Sequence, residues 1–128
     1  METNLKFNSA ICTSRSQSER LLALGLKAET ADMYYTESPR LLFIRDKGIP
    51  LEEEDFPAWS LHRLIEMTPM LFNPIRNLFV SNKSVEYQMS EGRTTLIFAN
   101  ENNIYDNVIN CIEWLISVDE FNKEYLEE

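Results

Sequence analysis

An α+β fold is predicted for this chain of 128 residues: an antiparallel sheet built from hairpins, with about three helices mostly on one face. Three observations carry that expectation. Apolar residues recur at helical spacing in three segments. Two pairs of short segments rich in β-branched and aromatic residues are joined by turn-forming residues. The resulting order is helix, hairpin, helix, hairpin, helix, not the strand–helix alternation that builds a parallel sheet. The length suits one domain with its own core. Within it, residues 1–12 read as a frayed arm or short edge strand, and residues 119–128 as an acidic tail.

The first helix has punctuation at both ends. Ser14 and Ser16 are candidate N-caps, with Gln17 and Glu19 respectively three residues on, each a capping-box arrangement. Leu21, Leu22 and Leu24 form the apolar stripe. Gly25 stands where a left-handed residue closes a helix, and Leu26 can fold back onto the last turn. Glu29 to Met33 can form one capped turn before the chain extends.

Met33–Thr36 and Leu41–Ile44 read as strands, joined by Glu37-Ser38-Pro39-Arg40, where Pro39 suits the second position of a turn. A polar loop, Asp46 to Asp55, follows. The second helix is expected to begin near Pro57 or Ser60 and to stop before Pro69, with Trp59, Leu61, Leu64, Ile65 and Met67 apolar. Residues 70–83 resist assignment, because Pro74 interrupts the run from Met70 to Val80. Val85–Met89 alternates apolar and polar as a half-buried strand does, and Thr94–Ala99 is its natural partner. Asn102 or Asn103 caps the last helix, whose broad apolar face runs from Ile104 to Ile116.

Charge narrows the function classes. There are 12 Lys+Arg against 21 Asp+Glu, a net charge of -9. The basic residues are scattered, so the clustered cations that phosphate neutralisation needs are missing and direct nucleic-acid binding is not expected. Residues 1–64 hold 10 acids and 8 bases, residues 65–128 hold 11 and 4, so the excess sits in the second half. Cys12 and Cys111 belong to no metal-ligand or disulfide pattern. Free thiols in a reducing cytoplasm are the expectation. The N-terminus has no continuous apolar stretch typical of an export signal, and no apolar run approaches the ~20 residues of a membrane span.

Two strings are unusual for helix text. One is Gln17-Ser18-Glu19-Arg20-Leu21-Leu22-Ala23-Leu24-Gly25-Leu26 followed by Thr30-Ala31-Asp32-Met33; the other is Pro57-Ala58-Trp59-Ser60-Leu61-His62-Arg63-Leu64-Ile65-Glu66-Met67. With Trp114-Leu115 in the last helix, they resemble a group of small uncharacterised proteins of Bacteroides-type bacteria and their prophages. The resemblance covers roughly Ser14 to Ile116 and implies no activity. This chain departs from it in the longer insert Met70–Lys83 and in the acidic extension after Ile116.

Candidate chemistry is sparse. His62 is the single histidine, and a surface position suits it better than a general base or metal ligand. Cys111 lies on the apolar face of the last helix, where a small buried hydrophobe is the default. The run Glu52–Asp55 lacks the alternation and turn glycine of a calcium loop. No nucleotide-binding glycine motif is present, so no cofactor or metal is expected. Trp59, preceding a cap at Ser60, suits a hydrophobic staple onto Leu64 or Ile65. Otherwise Tyr34, Tyr35, Trp59 and Tyr87 would build an aromatic contact patch. Together with Asp119, Glu120 and Glu124 of the tail, they are the candidate interaction surface.

Three readings of function follow. The first is a non-enzymatic accessory protein of mobile-element or prophage type that binds another protein, a basic one being compatible with the charge. The second is an acidic mimic of nucleic acid that occupies a DNA-binding protein. The third is a small hydrolase or transferase using His62.

Overall fold

The structure, a computed structural model, describes residues 10–36, 42–44, 51 and 54–128. Residues 1–9 of the expected arm 1–12, the turn Glu37–Arg40 and most of the loop Asp46–Asp55 lie outside the described residues.

Helix α1 (Arg15–Ala23) uses the first of its two candidate caps. The Ser14 hydroxyl accepts from the Gln17 amide at 3.2 Å, and the Gln17 side chain accepts from the Ser14 amide at 2.9 Å. The helix closes on Gly25, whose φ of 105° suits a residue without a Cβ. The Leu26 amide donates to the Leu21 carbonyl and the Gly25 amide to the Leu22 carbonyl, a complete Schellman closure. That closure turns Leu26 back into the core beside Leu21.

The strands form an α+β fold with two antiparallel three-stranded sheets. In the first, β1 (Met33–Tyr35) lies between β2 (Leu42–Ile44) and β3 (Phe56–Ala58). The hairpin of β1 and β2 was expected; β3 was not, because Pro57 reads as a helix opener. Pro57 instead sits opposite Tyr34 on an edge strand, the place in a sheet where a residue without an amide is tolerated. Helix α2 (Leu61–Met67) begins only after Ser60, whose hydroxyl accepts from the Arg63 amide at 3.1 Å.

The second sheet has the order β4-β5-β6, from Arg76–Val80, Val85–Met89 and Thr94–Phe98. Segment 70–83 thus supplies a strand. Leu71 and Arg76 exchange both backbone bonds across a turn containing Asn73-Pro74, and the chain leaves that turn extended. Helix α3 (Ile104–Ser117), capped by Asn103, lies against β5 and β6. Its Tyr105, Val108, Ile109, Ile112 and Leu115 are buried, a 3.6-residue stripe that joins Trp59, Leu64 and Tyr87 in one core. Asn107 is buried on the same helix but fully employed. Its amide donates to the Lys83 and Glu101 carbonyls and its oxygen accepts from the Glu101 amide.

The acidic segment after α3 is docked onto the fold. Helix α3 ends in a second Schellman closure, with Glu120 donating to Leu115 and Asp119 to Ile116. Phe121 then enters the core at 4 % exposure. Leu126 bridges to Leu26, the Lys27 amide donates to the Tyr125 carbonyl, and the Glu127 amide donates to the Gly25 carbonyl. Apolar anchoring outweighs the few tenths of a kcal/mol by which each acid opposes the helix dipole. Among the described residues, no helix is long and apolar enough to cross a membrane.

Candidate interaction surface

The two unusual strings of the sequence fold onto one another. Met33 and Ala58 are register partners in the first sheet. The Trp59 indole donates to the Thr30 hydroxyl at 3.0 Å, and the Ser60 amide and hydroxyl donate to the two oxygens of Asp32. Arg63 donates from Nε to the Thr30 carbonyl at 2.8 Å. These residues clasp the start of α2 to β1. Their polar atoms face each other, so the strings mark architecture.

That clasp corrects the aromatic patch. Trp59 is wholly buried and shares the core with Leu64, as a staple does. Tyr87 is wholly buried too, its hydroxyl donating to the Pro69 carbonyl at 2.7 Å. Neither can touch a partner. Tyr35 is half-buried and donates to the Thr13 carbonyl. Tyr34 stacks on Phe43 with ring centroids 5.4 Å apart.

The acids of the C-terminal segment do reach solvent. Asp119 pairs with Lys123 at 3.3 Å, whereas Glu120, Glu124, Glu127 and Glu128 have no ion-pair partner among the described residues. All four are exposed on a segment that is docked to the fold. Tyr125 within it lies under the Arg63 guanidinium, 5.6 Å from the ring centroid.

Among the described residues reactive groups are few, and the thiols are shielded. His62 is exposed on α2. Both cysteines are buried free thiols. Burial pushes the Cys111 thiol up to about 12 and raises Cys12, so neither is a nucleophile at neutral pH. The described residues contain no group of three His, Cys, Asp or Glu that would hold a metal ion.

Two features went unseen in the sequence. One is a groove of about 350 Å³ lined by Phe98, Asn100, Asn110, Glu113, Trp114 and Ser117. Arg20 already engages Asn110 at 2.5 Å and Glu113 at 3.5 Å, so much of its polarity is spent within the fold. The other is apolar. Met70, Phe72, Ile75 and Phe79 are 44, 61, 53 and 48 % exposed, and all four belong to segment 70–83. Phe79 continues across the outer face of the second sheet through Glu86 to Ile97, which is 56 % exposed. The alternation Asn77-Leu78-Phe79-Val80 holds apolar residues on both faces, so its sequence does not say which face is covered.

No protein-family model, no curated protein and no solved structure matches this chain.

Proposed function

We propose that this chain is a non-enzymatic accessory protein that acts by binding another protein through segment 70–79. The observation that carries the reading is the exposure of Met70, Phe72, Ile75 and Phe79 on one turn and the strand that follows it. Single exposed apolar residues are ordinary, but a group of large ones marks a contact surface. The exposed acids of the C-terminal segment favour a partner with basic residues. Two buried free thiols support a reducing compartment, the cytoplasm. The likeness to proteins of Bacteroides-type bacteria and their prophages supports an accessory role in a mobile element.

The test is a pull-down from native cells with mass spectrometry, comparing the unaltered chain with Phe72→Ser/Phe79→Ser. Both residues are exposed, so the variant retains its fold and is expected to lose the captured protein. Equal recovery by both chains overturns the reading.

The docked acids favour a second reading, an acidic mimic that occupies a DNA-binding protein. It expects capture that survives Phe72→Ser/Phe79→Ser, is lost in Glu120→Gln/Glu124→Gln/Glu127→Gln, and is competed by duplex DNA.

A further inference from the structure

Strand β6 is an edge: the order is β4-β5-β6, and no segment among the described residues bonds to its outer side. An edge strand offers a row of unpaired amides and carbonyls, which folded proteins usually blunt with lysine, proline or inward charge. β6 has none of these. Thr94-Thr95-Leu96-Ile97-Phe98 and the Ala99-Asn100 that follow are uncharged, whereas the opposite edge, β4, begins with Arg76. The one irregularity in its pairing, between Tyr87 and Gln88, falls near Thr95 and leaves Leu96 to Phe98 in regular register.

We propose that β6 pairs with β6 of a second copy of this chain, antiparallel and centred on Ile97, joining the two sheets into one. The strand is complementary to itself in that arrangement. Ile97 meets Ile97 on the outer face, and Leu96 meets the copy's Phe98 on the inner face, beside the Trp114 groove. Arg93 precedes the uncharged stretch and Glu101 follows it, both exposed. Antiparallel pairing lays each Arg93 end along the other copy's Glu101 end; the guanidinium, whose Nε lies 3.6 Å from Glu91 of its own turn, keeps further N–H donors for that second carboxylate, so attraction acts at both ends. Parallel pairing would set like charge beside like charge. Two chains of net charge -9 repel as wholes, which confines contact to an uncharged stretch such as this one. The pairing uses the β6 edge and leaves Phe72, Ile75 and Phe79 open, so it stands independently of the partner surface proposed above.

Sedimentation equilibrium of the full chain over a wide concentration range tests it. The mass is expected to rise from 15.0 kDa toward twice that value. Ile97→Lys sets two ammonium groups against each other at the axis and is expected to weaken dimerisation about tenfold or more. Arg93→Glu and Glu101→Arg are each expected to weaken it, and the double variant to restore it. Ile75→Lys and Phe72→Ser/Phe79→Ser are expected to leave it unchanged. All these positions are exposed, and far-UV circular dichroism verifies that each variant is folded. A monomer at every concentration, a dimer indifferent to Ile97→Lys, or a double charge exchange no stronger than its single variants overturns the proposal.

Discussion

The carboxylate of Asp32 holds Ser60 twice, by its amide at 2.8 Å and its hydroxyl at 2.5 Å, while that hydroxyl accepts the Arg63 amide at the start of α2. A residue beside β1 thereby orients the cap of a helix 28 positions away. Capping by Ser60 alone would satisfy one free amide; Asp32 also aims the hydroxyl that does so. Asp32→Ala leaves the Ser60 amide unpaired and is expected to cost about 1–3 kcal/mol. Ser60→Ala is expected to cost about 1 kcal/mol. Because both remove the same bond, the double variant is expected to lose less than the sum, read by urea denaturation of all four chains.

Phe121 sits in the core after the last helix has ended. Phe121→Ala is expected to cost about 3–5 kcal/mol, the range for emptying a buried phenylalanine site. Removing residues 122–128 is expected to destabilise as well, since it strips away the Leu26–Leu126 bridge and the Arg63–Tyr125 contact. By contrast, Glu124→Gln and Glu128→Gln are expected to stay within about 0.5 kcal/mol, as surface changes do. Thermal or urea melts separate anchoring from charge.

Asp119 occupies the left-handed position of the second Schellman closure, with φ 62°. Glycine adopts that conformation without the Cβ clash, and removing an acid at a helix C-terminus also relieves the dipole. The exposed ion pair to Lys123 returns little. Asp119→Gly is therefore expected to stabilise by about 0.5–1 kcal/mol. At the equivalent position of α1, Gly25→Ala is expected to destabilise by about 1 kcal/mol. Opposite shifts in the urea midpoint verify the pair.

Alkali is expected to unfold the protein through its buried acids. Burial raises the Cys111 thiol from 9.0 to about 12 in the folded chain, and raises the Tyr87 and Tyr105 hydroxyls above 10.0. Each group is neutral when protonated, and the unfolded chain releases its proton first. Stability from Cys111 is therefore complete below pH 9.0 and lost as pH climbs toward about 12, and that from the two tyrosines is complete below pH 10.0 and lost as pH rises above it. One such thiol steepens the decline by at most about 1.4 kcal/mol per pH unit. Urea midpoints measured across this range are expected to fall less steeply for Cys111→Ala than for the unaltered chain.

Much of this architecture was legible in the sequence because its causes are local. Ser14 with Gln17, Gly25 with Leu26, and Asn103 with Tyr105 act over a few residues, so the composition of one turn is enough to place a helix end. The period-2 alternation of Val85–Met89 and the 3.6-residue stripe of α3 likewise depend only on backbone repeat. The tertiary structure decided what depends on distant partners. Trp59 has the chemistry of both a staple and a binding anchor, and only Thr30 and the core around Leu64 put it inside. The sequence from Asp119 onward is acidic enough to read as solvent-borne, yet Leu26 and Gly25 supply the anchors that dock it, about a hundred residues earlier. Pro57 reads as the opening of a helix until β1 offers it an edge. In segment 70–83, both faces of β4 carry apolar side chains, and α3 covers the sheet on the side that leaves Phe79 in water. Local rules set which conformation a segment adopts; which face is buried is a property of the elements that pack against it.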